Sequence, residues 1–288
     1  MYLLITPCKN ERENLSKLID SVIKQTVKPS LWIIVDDGSD DGSLNIEKEA
    51  AKKYPWIHVL QNENKSKRDL GPHLASVIKK GFEYAVLLSN EQNLDYHYLG
   101  NLDADIILPP LFFEALITEF QLNDKLGIAS GGIKLTKNGQ LVHVNGLPED
   151  EPSGGDMLIR KKCYEECGGI FISYSWDSVL KAKARFKGWQ TKRFEAIVAI
   201  ESRDVSNAEG YLSGYRKYGQ SSYYLNFHPM HILLKGLIYS FQKPYYIGLA
   251  YMSGYFKDWF LRKEQIPDEE LKNYFGSKWK IAIKKYFS

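Results

Sequence analysis

Asp103 and Asp105 stand two residues apart where the apolar run Tyr98 to Leu102 ends. Two carboxylates at that spacing can offer oxygen ligands to a hard divalent cation, Mg²⁺ or Mn²⁺, which completes its shell with water or phosphate oxygens. On its own so short a pair reads more readily as a solvated turn after a strand, and its context must raise it. A second acidic stretch, Asp36-Asp37-Gly38-Ser39-Asp40-Asp41-Gly42, follows Leu31 to Val35. Counted from Asp37 as a calcium loop, it puts Lys48 at the twelfth position, where a bidentate Glu is required, and a strand precedes it, so the calcium reading fails. A carboxylate at a strand end before a glycine turn can instead accept hydrogen bonds from a base or ribose, while Ser39 or Asp40 caps the next helix. Asp177, after Trp176, opens a helical segment containing Val179 and Leu180, where it suits an N-cap. The first apolar run leads into Pro7-Cys8-Lys9-Asn10-Glu11, which has neither Gly-x-Gly-x-x-Gly nor Gly-Lys-Ser/Thr. Dinucleotide hydride transfer and P-loop hydrolysis are thereby excluded. His73, His143 and the remaining histidines show no spacing that demands a metal.

The elements that must carry these residues follow from periodicity. Residues 2 to 6 read as a strand stopped by Pro7, and Leu15, Leu18, Ile19, Val22 and Ile23 mark an amphipathic helix capped by Asn14. Leu31 to Val35 reads as a buried parallel strand, followed by a helix over 43–53 and a strand at 57–60. A helix at about 72–84, a strand at 98–102 and a helix at about 110–122 after Pro109-Pro110 come next. Residues 127–160 are glycine-rich between short apolar runs, as in a loop-rich strand region lining a site, and a helix runs from Trp176 to about Lys187. Strands alternating with helices make an open α/β sheet, which binds ligands at the carboxyl ends of its strands. Both acidic stretches fall at such ends.

Composition bounds the partners. The 288 residues carry 38 Lys+Arg against 35 Asp+Glu, a net charge of +3, which lacks the basic excess of a nucleic-acid binder, so no nucleic acid is expected. Three cysteines cannot all pair within one chain, and Cys163 and Cys167 have no second pair to complete a zinc site, which fits a reduced, cytoplasmic setting. The N-terminus reads as the first strand rather than as a signal peptide.

Taken in order, Thr6-Pro7-Cys8-Lys9-Asn10-Glu11, Val35-Asp36-Asp37-Gly38-Ser39-Asp40-Asp41, Leu102-Asp103-Ala104-Asp105 and Trp176-Asp177 before Lys187-Gly188-Trp189 resemble the motifs of family 2 glycosyltransferases. The similarity covers about residues 1 to 205 and points to bacterial and archaeal enzymes of polysaccharide or glycolipid synthesis. It implies the GT-A fold, an α/β architecture with a mixed, mostly parallel central sheet. It also implies a nucleotide-sugar donor (a UDP- or GDP-sugar), a divalent cation (Mn²⁺ or Mg²⁺), inversion at the anomeric carbon, and a saccharide or lipid-linked acceptor. Carried over by position, Pro7 and Glu11 meet the nucleoside and Asp37 the base. Asp103 and Asp105 fall on the metal and ribose motif, with Asp105 the direct ligand, and Asp177 falls on the catalytic base. Gly155 and Asp156 lie in the acceptor-side segment, and Arg68 lies near the basic position that meets the diphosphate. Many relatives have His-x-Arg where this chain has Glu201-Ser202-Arg203, so Glu201 would replace His as an oxygen ligand and Arg203 would clamp phosphate. A sugar-phosphate nucleotidyltransferase should show a glycine-rich basic N-terminal loop, and none is present. A non-catalytic sugar- or nucleotide-binding module is the other reading, favoured by Glu201 and opposed by Asp103, Asp105 and Asp177.

From Gly210 to Lys257 there is no Asp or Glu, while aromatic and basic residues abound. This shift divides a catalytic domain, 1–210 (a nucleotide half to about 105, then an acceptor half), from a helical extension, 211–288. Its longest uncharged piece, Pro244 to Phe256, falls short of the roughly 20 residues that cross a bilayer. Peripheral contact with the cytoplasmic face of a membrane is expected, the rival being a helical cap on the catalytic domain or on a second subunit.

Overall fold

The computed structural model describes residues 1–63, 69, 71–137, 140–144, 148–202 and 210–287. These fall into two compact units, one made of the chain up to residue 202 apart from 71–72 and 173–175, the other of 210–287 with those short segments.

The first unit begins β1 (Tyr2–Cys8), α1 (Arg12–Ile23), β2 (Leu31–Asp36), α2 (Ser43–Lys53), β3 (Ile57–Gln61), α3 (Pro72–Glu91), β4 (Tyr98–Leu102). It continues β5 (Ile106–Ile107), α4 (Phe112–Leu122), β6 (Leu126–Lys137), β7 (Gln140–His143), β8 (Asp156–Arg160), α5 (Lys161–Glu166), α6 (Trp176–Phe186) and β9 (Gln190–Glu201). One mixed sheet runs β3-β2-β1-β4-β8-β6-β9-β5, with β7 paired to β6. The β3-β2-β1-β4 portion is parallel throughout, β8 joins antiparallel to both β4 and β6, and β9 lies parallel to β6. The side-chain period of a strand is two, so the apolar runs of β1 and β2 feed both faces of the sheet. Tyr2, Leu4, Trp32 and Ile34 pack with α1 and α4 on one side, while Leu3, Ile5, Ile33 and Val35 pack with α3 and α6 on the other. Covering both faces is what a parallel sheet requires.

Three sequence expectations shift. Helix α1 begins at Arg12 rather than after Asn14, because the Glu11 carbonyl accepts from the Asn14 and Leu15 amides and so starts the first turn earlier. Helix α3 runs on to Glu91, since Ala85 and Ser89 continue the buried stripe. The glycine-rich region holds a 12-residue strand, β6, whose register against β9 jumps between Gly131 and Gly132. A Cβ at Gly131 would collide with the Ile197 carbonyl and the Phe112 ring, so the bulged β9 needs glycine there.

The second unit contains α7 (Tyr211–Tyr224), α8 (Pro229–Ser240), α9 (Ile247–Phe260) and α10 (Glu269–Phe287). Tyr223, Ile232, Tyr251 and Tyr255 form its core. The buried phenols are answered: Tyr223 donates to the Lys263 carbonyl at 2.8 Å, and Tyr255 to the Phe227 carbonyl at 2.6 Å. Glycines set the helix spacing, because a Cβ at Gly219 would strike the Tyr251 carbonyl and one at Gly254 the Arg216 carbonyl. Gly219→Ala is expected to destabilise this unit by about 1–3 kcal/mol through overpacking. Hydrogen exchange should show faster amide exchange in α7 and α9 and unchanged protection in β1, β2 and β4.

Candidate functional site

The loops leaving β1 and β2 are knitted to each other. Lys9 Nζ donates to the carbonyls of Asp37 (2.7 Å) and Gly38 (3.0 Å), while Asn10 and Asp40 exchange side-chain to main-chain and side-chain to side-chain bonds at 2.9 Å. Asn10 holds a φ of 55°, a left-handed conformation that Asn tolerates better than most residues. Asp36 is fully buried and turns back on its own loop, accepting from the Gly38 and Ser39 amides. Neither Ser39 nor Asp40 caps α2. Instead Asp41 accepts from the Ser43 amide and hydroxyl and from the Arg12 amide, and although burial acts against it these bonds hold its carboxyl below the ordinary value. Asp37, nearly buried, has its carboxylate fixed by Asn62 Nδ2 and His73 Nε2, each at 2.8 Å.

The end of β4 is tied to the loop before β8. Asp103 N donates to the Gly155 carbonyl at 2.7 Å, and Asn101 Nδ2 bridges Asp103 Oδ1 (3.1 Å) and the Gly154 carbonyl (2.7 Å). The two glycines face different carboxylates. A Cβ on Gly155 would lie 2.8 Å from Asp103 Oδ2, and one on Gly154 would lie 3.0 Å from Asp177 Cβ. One dipeptide without side chains therefore touches both the Asp-x-Asp segment and the start of α6. The end of β9 closes the same region. Ser202 N donates to the Asp105 carbonyl at 3.0 Å, and the Ser202 hydroxyl lies 2.7 Å from that carbonyl and 3.1 Å from Asn14 Oδ1. Asn14 in turn donates to Glu11 Oε2 at 2.8 Å.

Asp177 accepts from Lys181 Nζ at 2.9 Å, one helical turn along α6. Lys181 is almost wholly buried and also reaches the Pro152 carbonyl at 2.9 Å and Glu151 Oε2 at 3.4 Å. Burial alone would push its ammonium down, but the carboxylates of Asp177 and Glu151 outweigh it and hold it above the ordinary value. Glu151 is shared with Arg185 at 3.1 Å, so the start of α6 and the segment before β8 form one charged network.

The sequence-derived residues are thus placed as follows. Pro7 lies in β1 opposite Val35, beyond the last β1–β4 pair, Ile5 with Asn101. Glu11, nearly buried, and Asp37 border the loops just described. Asp103, Asp105 and Asp177 are half-buried, and Glu201 stands opposite Ile106 in the strand register, next to Asp105. Arg68 and Arg203 lie outside the described residues. Asp156, expected on the acceptor side, is wholly buried instead. Its Oδ2 accepts from the Gly131 amide at 2.9 Å, and burial, with the charge of Asp103 adding, raises its carboxyl to about 7. Its side chain braces β6 rather than facing open space. The residues that sequence reasoning missed are Asn14, Asn62, His73, Asn101, Glu151, Lys181 and Ser202. Of these, Asn14, Asn101 and Lys181 stand within four residues of the carboxylates they meet, Glu11, Asp103 and Asp177, and so carried a local signal.

Among the described residues no three His, Cys, Asp or Glu side chains converge into a ready cation cage. Asp103 and Asp105 are hard oxygen donors, and Gly155, having no Cβ, lets the Asp103 carboxylate and Ile106 pack against its backbone. The pair suits a cation that draws its other ligands from water and phosphate.

Fold and site together define the GT-A class of α/β proteins, with acidic loops at the carboxyl edge of a mixed sheet. Residues 3–171 match the family model described as Glycosyl transferase family 2, and the chain belongs to that family. It is 40% identical over 55 residues to a cholesterol galactosyltransferase of Borreliella burgdorferi, covering 19% of this chain and 15% of that protein. It is 31% identical over 127 residues to the uncharacterized glycosyltransferase YibD of Escherichia coli K12, covering 44% of this chain and 32% of that one. The matched segments thus span less than a third of either relative. A mannosyltransferase from Pyrobaculum calidifontis, solved with GDP-Man and Mn²⁺, superposes with a TM-score of 0.55 at 15% identity, over 88% of this chain and 69% of that one. At that identity the likeness establishes the fold.

Two outcomes test this geometry. Lys181→Met leaves Asp177 and Glu151 without their shared cation and should cost roughly 3 kcal/mol in urea denaturation, with Lys181→Arg costing less. Glu47, fully buried in α2, has its carboxyl raised to about 7 by burial, the Cys8 thiol opposing and Asp36 and Asp41 adding. The stability this contributes is complete below the unfolded value of 4.5 and is lost as pH rises through about 7. Glu47→Gln should therefore flatten the stability profile between those values and be the more stable protein at pH 8, by about 2–3 kcal/mol.

Proposed function

We propose that this chain transfers a sugar, with inversion at the anomeric carbon, from a nucleoside diphosphate sugar to a saccharide or lipid-linked hydroxyl. The observation that carries the reading is the Gly154-Gly155 step, which sets Asp177 and Asp103 against neighbouring residues of one loop. Asp177 takes the proton of the acceptor hydroxyl as its oxygen forms the new bond to the anomeric carbon. The bond from that carbon to the diphosphate oxygen breaks, and the electron pair leaves with the nucleoside diphosphate. Lys181 holds Asp177 in one orientation, and Gly154, without a side chain, lets the loop pass directly against it.

Asp37, oriented by Asn62 and His73, accepts from the base, while Pro7 and Glu11 border the nucleoside. Arg68 and Arg203 are assigned to the diphosphate. Asp103 and Asp105, with Glu201 beside them, would hold a Mn²⁺ or Mg²⁺ ion, which supplies positive charge to the departing diphosphate. The GDP-Man and Mn²⁺ bound by the Pyrobaculum mannosyltransferase support a nucleotide-sugar and cation site of this kind, and a UDP- or GDP-sugar is the donor assigned here.

A thermal-shift panel of UDP, GDP, CDP, ADP and dTDP, with and without Mn²⁺, tests the reading. One nucleotide should stabilise the protein by about 2.7 kcal/mol at roughly 100 times its dissociation constant. The shift should require the cation and vanish in Asp105→Ala. Asp177→Asn should keep the shift and lower turnover ~10²- to 10⁴-fold. No shift with any nucleotide would remove the donor site, and full turnover by Asp177→Asn would remove the base.

A further inference from the structure

The second unit shows one side that water does not explain. The residues of α8 most open to solvent are Met230, Leu233 and Leu237, 44%, 47% and 57% exposed, and the stripe continues to Phe241 at 78%. At about 100° per residue these four fall within an arc of roughly 80°. No polar residue of α8 is as exposed as any of them. Its lysine, Lys235, turns away, with its ammonium 4.6 Å from the centre of the Tyr218 ring. Beyond Phe241 the chain exposes Lys243, Tyr245 and Tyr246 before α9, and then Leu249 on the first turn of α9. The glycine pair Gly236 and Gly248 packs α8 tightly on α9, so the stripe is the outer side of a fixed helical pair.

We propose that this side of α8, with the turn into α9, docks on an anionic lipid surface, lying in the headgroup layer with its apolar residues inward. The inference is independent of the catalytic reading of the first unit. Charge selects the occupant. From Gly210 to Lys257 the chain has Arg216, Lys217, Lys235, Lys243 and Lys257 and no acid. The acid that follows, Asp258, is buried and paired with Lys263 at 2.9 Å. An apolar stripe that ends in an exposed lysine, on a basic stretch without acids, complements anionic headgroups, and Tyr245, Tyr246 and Lys243 at its end are residue types that favour the interfacial layer. A second copy fits less well. A two-fold interface sets the same patch against itself, and this basic stretch carries no carboxylate to answer Lys243. Spanning is excluded for these elements, since α8 has 12 residues and α9 has 14, and no described helix is long and apolar enough to cross a membrane.

Co-sedimentation of the full chain with vesicles of phosphatidylglycerol and phosphatidylcholine, against phosphatidylcholine alone, tests the proposal. Binding should require phosphatidylglycerol and weaken as salt is raised. The triple variant L233S/L237S/F241S should bind at least about tenfold more weakly, with an unchanged circular dichroism spectrum because all three side chains are exposed. Lys243→Glu, a change at the exposed turn, should weaken binding several-fold and serves if the triple variant misfolds. Failure of the wild-type chain to sediment, equal binding to neutral vesicles, or undiminished binding by both variants would overturn it. So would a dimer in sedimentation velocity that the triple variant splits while neither form binds vesicles, which would give the face to a second copy.

Discussion

Carboxylates gathered at one edge of a sheet repel one another, and the rest of this structure is arranged around keeping them there. Glu11, Asp36, Asp37, Asp41, Asp103 and Asp177 come from loops and helix starts far apart in sequence. Each is met by a specific donor: Asn14 for Glu11, backbone amides for Asp36, Asn62 and His73 for Asp37, Ser43 and Arg12 for Asp41, Asn101 for Asp103, Lys181 for Asp177. Most of these donors are neutral. They fix the direction of each carboxylate without adding a cation beside it. At Glu47 and Asp156 burial outweighs the bonds they receive, from the Cys8 thiol and the Gly131 amide, and their carboxyls rise to about 7.

That arrangement depends on the sheet in a particular way. Parallel strands β1, β2 and β4 end on the same edge, so their loops emerge side by side. The antiparallel β8 then brings Gly154 and Gly155 back to that edge just before it pairs with β4, Leu102 opposite Asp156. The parallel pairing of β6 with β9 requires a crossover, and α5 and α6 lie in it, which is how a helix with Asp177 in its first turn reaches the loop tied to the end of β4. The bulge in β9 opposite Gly131 and Gly132 of β6 is part of the same fit, since the tight approach there leaves no room for a side chain.

The order of strands and helices was legible because apolar runs and helical spacing are local properties. The runs at 31–35 and 98–102, the helix at 43–53 and the Trp176 helix needed only neighbouring residues. The acidic segments were legible for the same reason, as short motifs at strand ends. What sequence could not give were the partners from afar: His73 lies 36 residues from Asp37, and Ser202 lies 188 residues from Asn14. Asp156 shows the converse. Its position beside two glycines suggested a site residue, yet burial depends on the strand pairing of β8, which no local pattern reveals.

The segment that precedes β8 is gripped by its backbone. Lys181 holds the carbonyl of Pro152, Arg193 that of Pro148, and Arg185 and Thr191 both hold that of Asp150, while the Arg193 amide binds the Glu149 carbonyl. Every residue type supplies a carbonyl. The clamps on α6 and β9 therefore set the path of residues 148–152 mainly through the backbone, and only Glu151 is also tied to α6 by a half-buried side chain, between Lys181 and Arg185. The exposed positions Glu149 and Asp150 can drift in side chain and still be delivered to the same place. The fold thus separates one position whose chemistry must stay constant from neighbours that are free to diversify.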